Sequence, residues 1–199
     1  MAEVTISNSP IHSDSTLTAC YGETGPYWSN FHTGTDFVPY GSTPANPDLY
    51  SVCNGIVYSV INTPSAALGN QIVIYDTDTG NYWRYCHMRE ASPLSAGDVV
   101  TTLTKVGVMG ATGNVTGTHL HLEYSRVYWW DNTYQKFLNP SDALGIPNVR
   151  GTIVHYDGTT PPEPPEPEPE ETTKKKHRFN WQTFTKNIRN RRNLTNRFY

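Results

Sequence analysis

Apolar and polar residues alternate over short stretches of residues 1–150, which is the pattern of half-buried β-strands. The segments 70–76 (NQIVIYD) and 82–87 (YWRYCH) flank the turn sequence TDTGN, so residues 70–87 are predicted to form a β-hairpin. The sequence LNPS at 138–141 predicts a closing turn that opens a short helix at 141–144. The other predicted strands are 51–62, 99–103, 120–125 and 126–130.

The composition agrees with a β-rich fold. Tyr, Thr, Val and Trp are abundant, Gly and Pro number 15 each, and the mixtures of Leu, Ala, Glu and Lys that are typical of helices are scarce. We therefore expect an all-β domain built on an antiparallel sheet. No run approaches the roughly 18 apolar residues of a membrane span, and residues 1–15 lack the basic and apolar regions of a signal peptide.

Charge divides the chain into three parts. Residues 1–160 carry thirteen acidic and six basic residues, a net charge of −7, whereas 172–199 carry nine basic residues and no acidic one. Between them lies PPEPPEPEPEE, predicted to be a disordered, extended linker because proline fixes φ and the glutamates repel one another. The expected organisation is an N-terminal segment packing on the domain at 1–27, a domain at 28–158, a linker at 159–173 and a basic aromatic tail at 174–199.

The cysteines argue against a cysteine metal site. Cys20, Cys53 and Cys86 form no C-x-x-C pair, which is the usual spacing of such ligands. Their odd number leaves at least one thiol unpaired. Three buried free thiols are favoured over a single disulfide, because free cysteine is commonly buried.

Two histidines lie two positions apart in the predicted strand at 120–125 and its approach, THLHLE. Because side chains alternate along a strand, His119 and His121 share one face and the intervening leucines share the other. Buried imidazoles need partners for their ring nitrogens, and a metal ion is one such partner. Glu123 falls on the histidine face, where it could orient a ligand or form a surface salt bridge.

Two further clusters contain the other candidate site residues, HTGTD with His32 and Asp36, and YCH with His87. A carboxylate with two imidazoles suits a catalytic zinc ion, which keeps one coordination position open. One histidine from each of two segments would complete that set with Asp36, and two imidazoles would remain for proton transfer. Each pattern alone has little specificity. The isolated histidines are interpreted as surface or ordinary core residues: His12, His155 and His177.

Together these patterns resemble the M23 family of zinc metallopeptidases, the lysostaphin-like or LytM-like endopeptidases. The strongest match is 107–123 (GVMGATGNVTGTHLHLE), where glycine-rich turns lead into T-G-x-H-L-H-x-E. The resemblance extends over about residues 28–145. The other matching stretches are HTGTDF at 32–37, NGIVYSV at 54–60, GNQIVIY at 69–75, YCHM at 85–88, GDV at 97–99 and LNP at 138–140.

The resemblance implies an antiparallel sheet with an open substrate groove that binds Zn²⁺ through His32, Asp36 and His121. His87 and His119 match the pair that contacts the attacking water and the transition state. One of them would take the proton of the water and return it to the leaving amine, and the other would stabilise the oxyanion. All five positions are filled, which predicts an active enzyme.

The expected function is zinc-dependent cleavage of peptide bonds in bacterial cell-wall peptidoglycan, in the stem peptide or the cross-bridge. The alternative is a non-catalytic peptidoglycan-binding or phage-tail module that keeps the fold. We expect action on the wall from outside the cell or from a phage particle. Because no signal peptide is visible, release by lysis, carriage on a phage particle or a missing natural N-terminus would have to account for this location. The tail is expected to bind wall polyanions or a partner protein, or to have no specific ligand. Nucleic acid is its least expected ligand. The loops at 38–50 and 126–137 are expected to determine specificity.

Overall fold

A ten-stranded sheet organises the chain in a computed structural model that describes residues 2–26, 31–128 and 136–158. A separate pair of short strands lies beside it. The elements in chain order are β1 (Glu3–Ile6), β2 (Ser15–Ala19), β3 (Gly34–Pro39), β4 (Asp48–Tyr50), β5 (Gly55–Ile61), β6 (Asn70–Asp76), β7 (Tyr82–Met88), β8 (Val99–Val100), β9 (Lys105–Val108), β10 (Leu120–Ser125), β11 (Phe137–Leu138), α1 (Pro140–Leu144) and β12 (Ile153–Tyr156).

The strand order in the large sheet is β1-β12-β2-β3-β10-β7-β6-β5-β8, with β11 also paired to β10, and the small sheet pairs β4 with β9. Neighbours are antiparallel except β1 and β12, which run parallel. The predicted β-rich antiparallel fold is confirmed, and that single parallel pair is the departure from it. The predicted linker at 159–173 and tail at 174–199 lie outside the described residues.

Predicted elements and observed elements agree best where apolar alternation is strong. The hairpin of β6 and β7, the strand β10 and the helix α1 form as predicted, and the Asn139 side chain caps α1 by accepting from the Ser141 amide. The strand expected at 51–62 begins only at Gly55, because the amide of Val52 bonds to the Tyr85 hydroxyl instead of to a neighbouring strand. Likewise β8 ends at Val100, where a turn begins.

The segment expected to form a strand at 126–130 does not do so in its described part. Residues 126–127 form a bend, and Ser125 Oγ donates to the Val127 carbonyl at 2.9 Å, which turns the chain away from the sheet. Residues 129–130 lie outside the described residues. No helix in the described ranges is long and apolar enough to cross a membrane.

The core fills one face of the sheet around β10. Leu120 and Leu122 are fully buried on that face, and Phe37 of β3 and Tyr85 of β7 pack into the same apolar cluster. The alternation of β10 therefore has the predicted result, with leucines in the core and the histidine on the opposite face. The three cysteines are buried and free, as favoured from the usual burial of free cysteine.

The N-terminal segment contributes two strands to the large sheet. Strand β2 lies between β12 and β3, and Leu17, only 1% exposed, belongs to the main apolar cluster. The amide of Leu17 also donates to the carbonyl of Thr152 at 3.1 Å. Residues from both ends of the described chain are thus joined beside the strand that carries Asp36.

If β2 is part of the folding unit, truncating Leu17 should cost as much as truncating any core leucine. We expect Leu17→Ala to lower the free energy of unfolding by about 2–5 kcal/mol, through lost burial and the cavity left behind. Urea denaturation followed by tryptophan fluorescence measures this change. The control is Leu103→Ala, at a leucine that is 45% exposed, where a change within about 0.5 kcal/mol is expected. Equal effects of the two substitutions would show that the N-terminal segment is not part of the cooperative unit.

Candidate metal centre

Three adjacent strands, β3, β10 and β7, bring the candidate site residues together. In the register of the sheet, His121 of β10 lies opposite Asp36 of β3 on one side and Cys86 of β7 on the other. His32 precedes β3 by two residues and stands four positions before Asp36. Strand pairing therefore places His32, Asp36 and His121 side by side, although His32 and His121 are 89 residues apart in the chain.

The three candidate ligand atoms form a small triangle. His32 Nε2 lies 3.0 Å from His121 Nδ1 and 3.2 Å from Asp36 Oδ1, and His121 Nδ1 lies 2.8 Å from that same oxygen. Ligands in a tetrahedral zinc site lie about 3.3 Å apart, given bonds of about 2.0–2.1 Å. The triangle is slightly smaller than this. Its donor set of two imidazoles and one carboxylate is one that suits zinc.

The second nitrogen of each ligand imidazole has a fixed acceptor. His32 Nδ1 lies 3.0 Å from the backbone carbonyl oxygen of Cys20, and His121 Nε2 lies 3.2 Å from Glu123 Oε1. Because these oxygens only accept, the hydrogen of each neutral ring is directed to that nitrogen. The lone pairs of His32 Nε2 and His121 Nδ1 are thereby directed to the candidate metal position, as in metal sites where an outer partner orients the ligand.

Glu123 both contacts a candidate ligand and forms a salt bridge, the two possibilities that its sequence position left open. Both contacts lie in the interior. The residue is 1% exposed, so its salt bridge is not on the surface. It contacts His121, accepts from Thr33 Oγ1 at 2.5 Å and pairs with the guanidinium of Arg84 through Nε at 2.5 Å and through Nη2. A buried carboxylate needs such compensation, because an unpaired charge in the interior is strongly destabilising.

The charges around His121 alter its protonation. Burial alone lowers its pKa, but hydrogen bonds and charge attraction from Asp36 and Glu123 outweigh this and raise the pKa to about 9. Burial likewise opposes ionisation of Glu123, and Arg84 and His121 reverse this to give a pKa of about 2. For Asp36, His121 and His32 overcome burial and hold the pKa well below its usual range. Two ionised carboxylates thus face the His121 ring, and the Arg84 guanidinium compensates Glu123 in addition.

His87 reaches the site by breaking the alternation of β7. The Arg84 side chain lies on the site face of β7, where it contacts Glu123, and the Tyr85 side chain lies in the core. Strict alternation would therefore place His87 on the core face with Tyr85. Its φ of +60°, rare for a residue other than glycine, redirects the side chain, and its ring centre lies 4.8 Å from that of His119. Backbone strain of this kind is found most often at functional sites.

The rings of His87 and His119 lie beside the triangle, and both are oriented by backbone carbonyls. His87 Nδ1 lies 2.9 Å from the carbonyl of Thr112, and His119 Nδ1 lies 2.9 Å from that of Gly117. His119 Nε2 is 3.9 Å from Asp36 Oδ2. Burial lowers the pKa of His87 to about 4, so this ring is neutral at neutral pH. The five predicted site residues are therefore brought into one cluster.

Two glycines permit this close packing. A Cβ atom at Gly34 would lie 2.4 Å from the carbonyl oxygen of Leu122 and 2.8 Å from Cε1 of His121. At Gly110, whose carbonyl accepts from the His119 amide, a Cβ atom would lie 2.3 Å from the backbone nitrogen of Arg89. Side chains at either position would push apart the strands that carry the imidazoles.

The five residues line one open cavity of about 530 Å³, within the size range of small-ligand sites. The further lining residues come from β2, from the loops at 67–68 and 114–116, and from a turn near the C-terminal end of the described chain. None comes from 38–50, and 129–135 lies outside the described residues. Arg84 and Arg150 were not predicted from sequence, because only strand pairing and the chain path bring them to the site. The complete described lining is Thr18, Ala19, His32, Thr33, Asp36, Ala67, Leu68, His87, Asn114, Val115, Thr116, His119, His121 and Arg150.

A comparison with protein families decides the membership of this chain. The sequence pattern described as Peptidase family M23 matches residues 30–139, more than half of the chain. The chain belongs to peptidase family M23. The match contains all five clustered residues, whereas β2 and Arg150 lie outside it.

Relatives of this M23 chain agree with that membership. It is 36% identical over 92 residues, 46% of its length, to the peptidoglycan DD-endopeptidase ShyA of Vibrio cholerae, of which it spans 20%. A zinc-containing peptidase from the same species, 27% identical, superimposes with a TM-score of 0.52 over 69% of this chain and 39% of that one. The catalytic domain of lysostaphin from Staphylococcus simulans, 22% identical, shares the fold with a TM-score of 0.53 over 65% of this chain and 91% of that domain.

Zinc uptake by this M23 chain is expected to depend on pH. Because the pKa of His121 is raised to about 9, its ring is protonated at neutral pH and zinc must displace about one proton. The apparent affinity should therefore rise about tenfold per pH unit from pH 7 and level off above about pH 9. Competition with a chelator of known affinity measures this, and calorimetry in two buffers counts the released proton. An affinity that is constant from pH 7 to 9 would contradict the prediction.

Zinc affinity should also depend on Glu123, which holds the distal nitrogen of His121. We expect Glu123→Gln to weaken zinc binding about 10- to 100-fold, the usual effect of removing such an outer partner. Chelator competition at fixed pH measures the change, with circular dichroism to verify folding. The matched control is Glu90→Gln, at an exposed glutamate beyond the end of β7. An affinity for Glu123→Gln equal to that of the control would show that Glu123 does not act through His121.

Proposed function

We propose that this chain is a zinc-dependent endopeptidase that hydrolyses peptide bonds of bacterial cell-wall peptidoglycan. The observation that carries the proposal is the triangle of His32, Asp36 and His121, with sides of 2.8–3.2 Å. It lies in an open cavity beside two further imidazoles, in a chain of peptidase family M23. A curated relative bears the name peptidoglycan DD-endopeptidase, and the present chain spans about a fifth of its length.

In this proposal His32 Nε2, Asp36 Oδ1 and His121 Nδ1 hold the metal. Zinc bound there would supply Lewis acidity toward a carbonyl oxygen and lower the pKa of a coordinated water to about 7. The protein contributes a rigid ligand set, since the outer nitrogens of both imidazoles are held by Cys20 and Glu123.

In this proposal His119 takes the proton of the attacking water. Its Nδ1 is held by a carbonyl, which leaves the Nε2 lone pair for a proton of the attacking water. The imidazolium so formed would lie near Asp36 Oδ2, 3.9 Å from Nε2, whose charge stabilises it. From this position His119 would deliver the proton to the leaving amine.

His87 would orient the attacking water as a hydrogen-bond acceptor. Its Nδ1 is directed to the carbonyl of Thr112, so Nε2 of the neutral ring has a lone pair and no hydrogen. Donation to an oxyanion would require a second proton on this ring, which the pKa of about 4, lowered by burial, opposes at neutral pH. The acceptor role is therefore favoured over the donor role considered from sequence.

The proposal is tested by release of soluble peptide and loss of turbidity from purified peptidoglycan of several cross-bridge types. We expect activity that a chelator abolishes and zinc restores. Asp36→Ala and His121→Ala should lose zinc and nearly all activity. His119→Ala and His87→Ala should keep zinc but lose about 10²- to 10⁴-fold in rate, the usual contribution of a positioned acid–base group.

His155→Ala is the matched control, because His155 pairs with Asp14 and does not line the cavity. It should retain activity. Bound zinc with no cleavage of any wall type would contradict the proposal and favour a non-catalytic wall-binding or phage-tail module. Action from outside the cell or from a phage particle remains a prediction, as does binding of wall polyanions or a partner protein by the tail at 174–199.

A further inference from the structure

A permanently charged cation lies at the rim of the cavity. Arg150 lines the same cavity as the candidate ligands, and among the described lining residues it is the single Lys or Arg. It lies beyond the segment that matches the family, which ends at residue 139. Its side chain is 57% exposed, and the charge of Asp36 acts on it.

The backbone around Arg150 is held against β2. The amide of Gly151 donates to the carbonyl of Leu17 at 2.8 Å, and Leu17 donates to Thr152 at 3.1 Å. The two residues that follow Leu17, Thr18 and Ala19, line the cavity themselves. Arg150 is thus carried on a turn fixed to the cavity wall, which reduces the conformational freedom that a ligand would have to restrict.

Glu23, the partner of Arg150 within the chain, accepts hydrogen bonds from only part of the Arg150 guanidinium. Glu23 accepts from Nε at 2.7 Å and also from Nη2. A guanidinium has five N–H donors, and within the described ranges no partner is found for Nη1. The backbone carbonyl of Glu23 accepts from the His32 amide at 2.7 Å, which fixes the pair next to a candidate ligand.

We propose that Arg150 is a specificity-determining residue that binds a carboxylate of the peptide substrate beside the bond that is cut. This inference rests on the proposed peptidase function. Residues 1–160 carry a net charge of −7, which opposes the approach of an anionic peptide, and Arg150 supplies a positive charge at the rim of the cavity. A planar guanidinium matches a carboxylate in shape as well as charge.

Two sources of carboxylate fit this position. One is the free carboxylate of a diamino acid whose side-chain amine forms the cross-link, which stands next to the scissile amide. The other is the carboxylate that ends a peptide strand. Both present the same group to Arg150, and selective amidation of a synthetic peptide separates them.

The test uses the whole chain loaded with zinc and a synthetic cross-linked peptide, in which a D-alanyl carbonyl is joined to the side-chain amine of a diamino acid. Three forms are compared: both carboxylates free, the carboxylate next to the scissile amide converted to an amide, and the strand-terminal carboxylate converted to an amide. For Arg150→Gln we expect KM to rise about tenfold on the fully free form, with kcat within about twofold of wild type. The increase should disappear on whichever amidated form lacks the recognised carboxylate.

Two further variants distinguish recognition from a merely structural ion pair. Arg150→Lys keeps the charge without the planar fork and should have an intermediate KM. Glu23→Gln removes the competing charge and should lower KM about threefold on the free peptide. A structural pair predicts instead that Arg150→Gln and Glu23→Gln impair all three peptides alike.

The matched control is Lys105→Gln, at a cation that is 45% exposed, pairs with Asp48 at 2.7 Å and does not line the cavity. It should leave KM unchanged on every peptide. Equal effects of Arg150→Gln on all three peptides, or no effect, would overturn the inference while wild-type cleavage still supports the peptidase. A wild-type protein that cleaves neither these peptides nor any peptidoglycan would overturn the proposed function and this inference together.

Discussion

The buried contacts of His121 with two carboxylates are the constraint on which the centre of the structure depends. Asp36 and Glu123 are both ionised, and charges in the interior persist only when partners compensate them. Those partners come from three neighbouring strands, with Asp36 on β3, His121 on β10 and Arg84 on β7. A shift of β3 or β7 by one residue against β10 would leave a buried charge unpaired, so the network also fixes the register of these strands.

The sequence predicts the fold best where one face of a strand is apolar and the other polar. Strand β10 shows this alternation, and its leucines and histidine lie on the predicted faces. The short strands β1 and β12 are different. Each has four residues, and they pair in parallel across the two ends of the described chain. Local periodicity contains no information on such a distant pairing, so these strands were not predicted.

For the candidate site, the five residues came from resemblance to a family, and spacing alone left several ligand sets open. Their surroundings could not be predicted. Arg84 meets Glu123 only through the pairing of β7 with β10, and the Cys20 carbonyl meets His32 only through the path of the N-terminal segment. His87 contradicts alternation itself, because its φ of +60° changes the face on which the ring lies. Such a strained residue depends on the completed tertiary structure.

The candidate ligands and part of the cavity wall differ in how much a substitution is expected to cost in stability. Asp36 and His121 lie on central strands and His32 closely precedes one of them, and burial, paired charges and close-packed glycines make most substitutions there costly. Part of the cavity wall comes from Thr18 and from the turn that carries Arg150, where the side chains are exposed. Changes at these exposed side chains are expected to cost little stability, so this part of the cavity wall can vary while the arrangement of the candidate ligands is preserved.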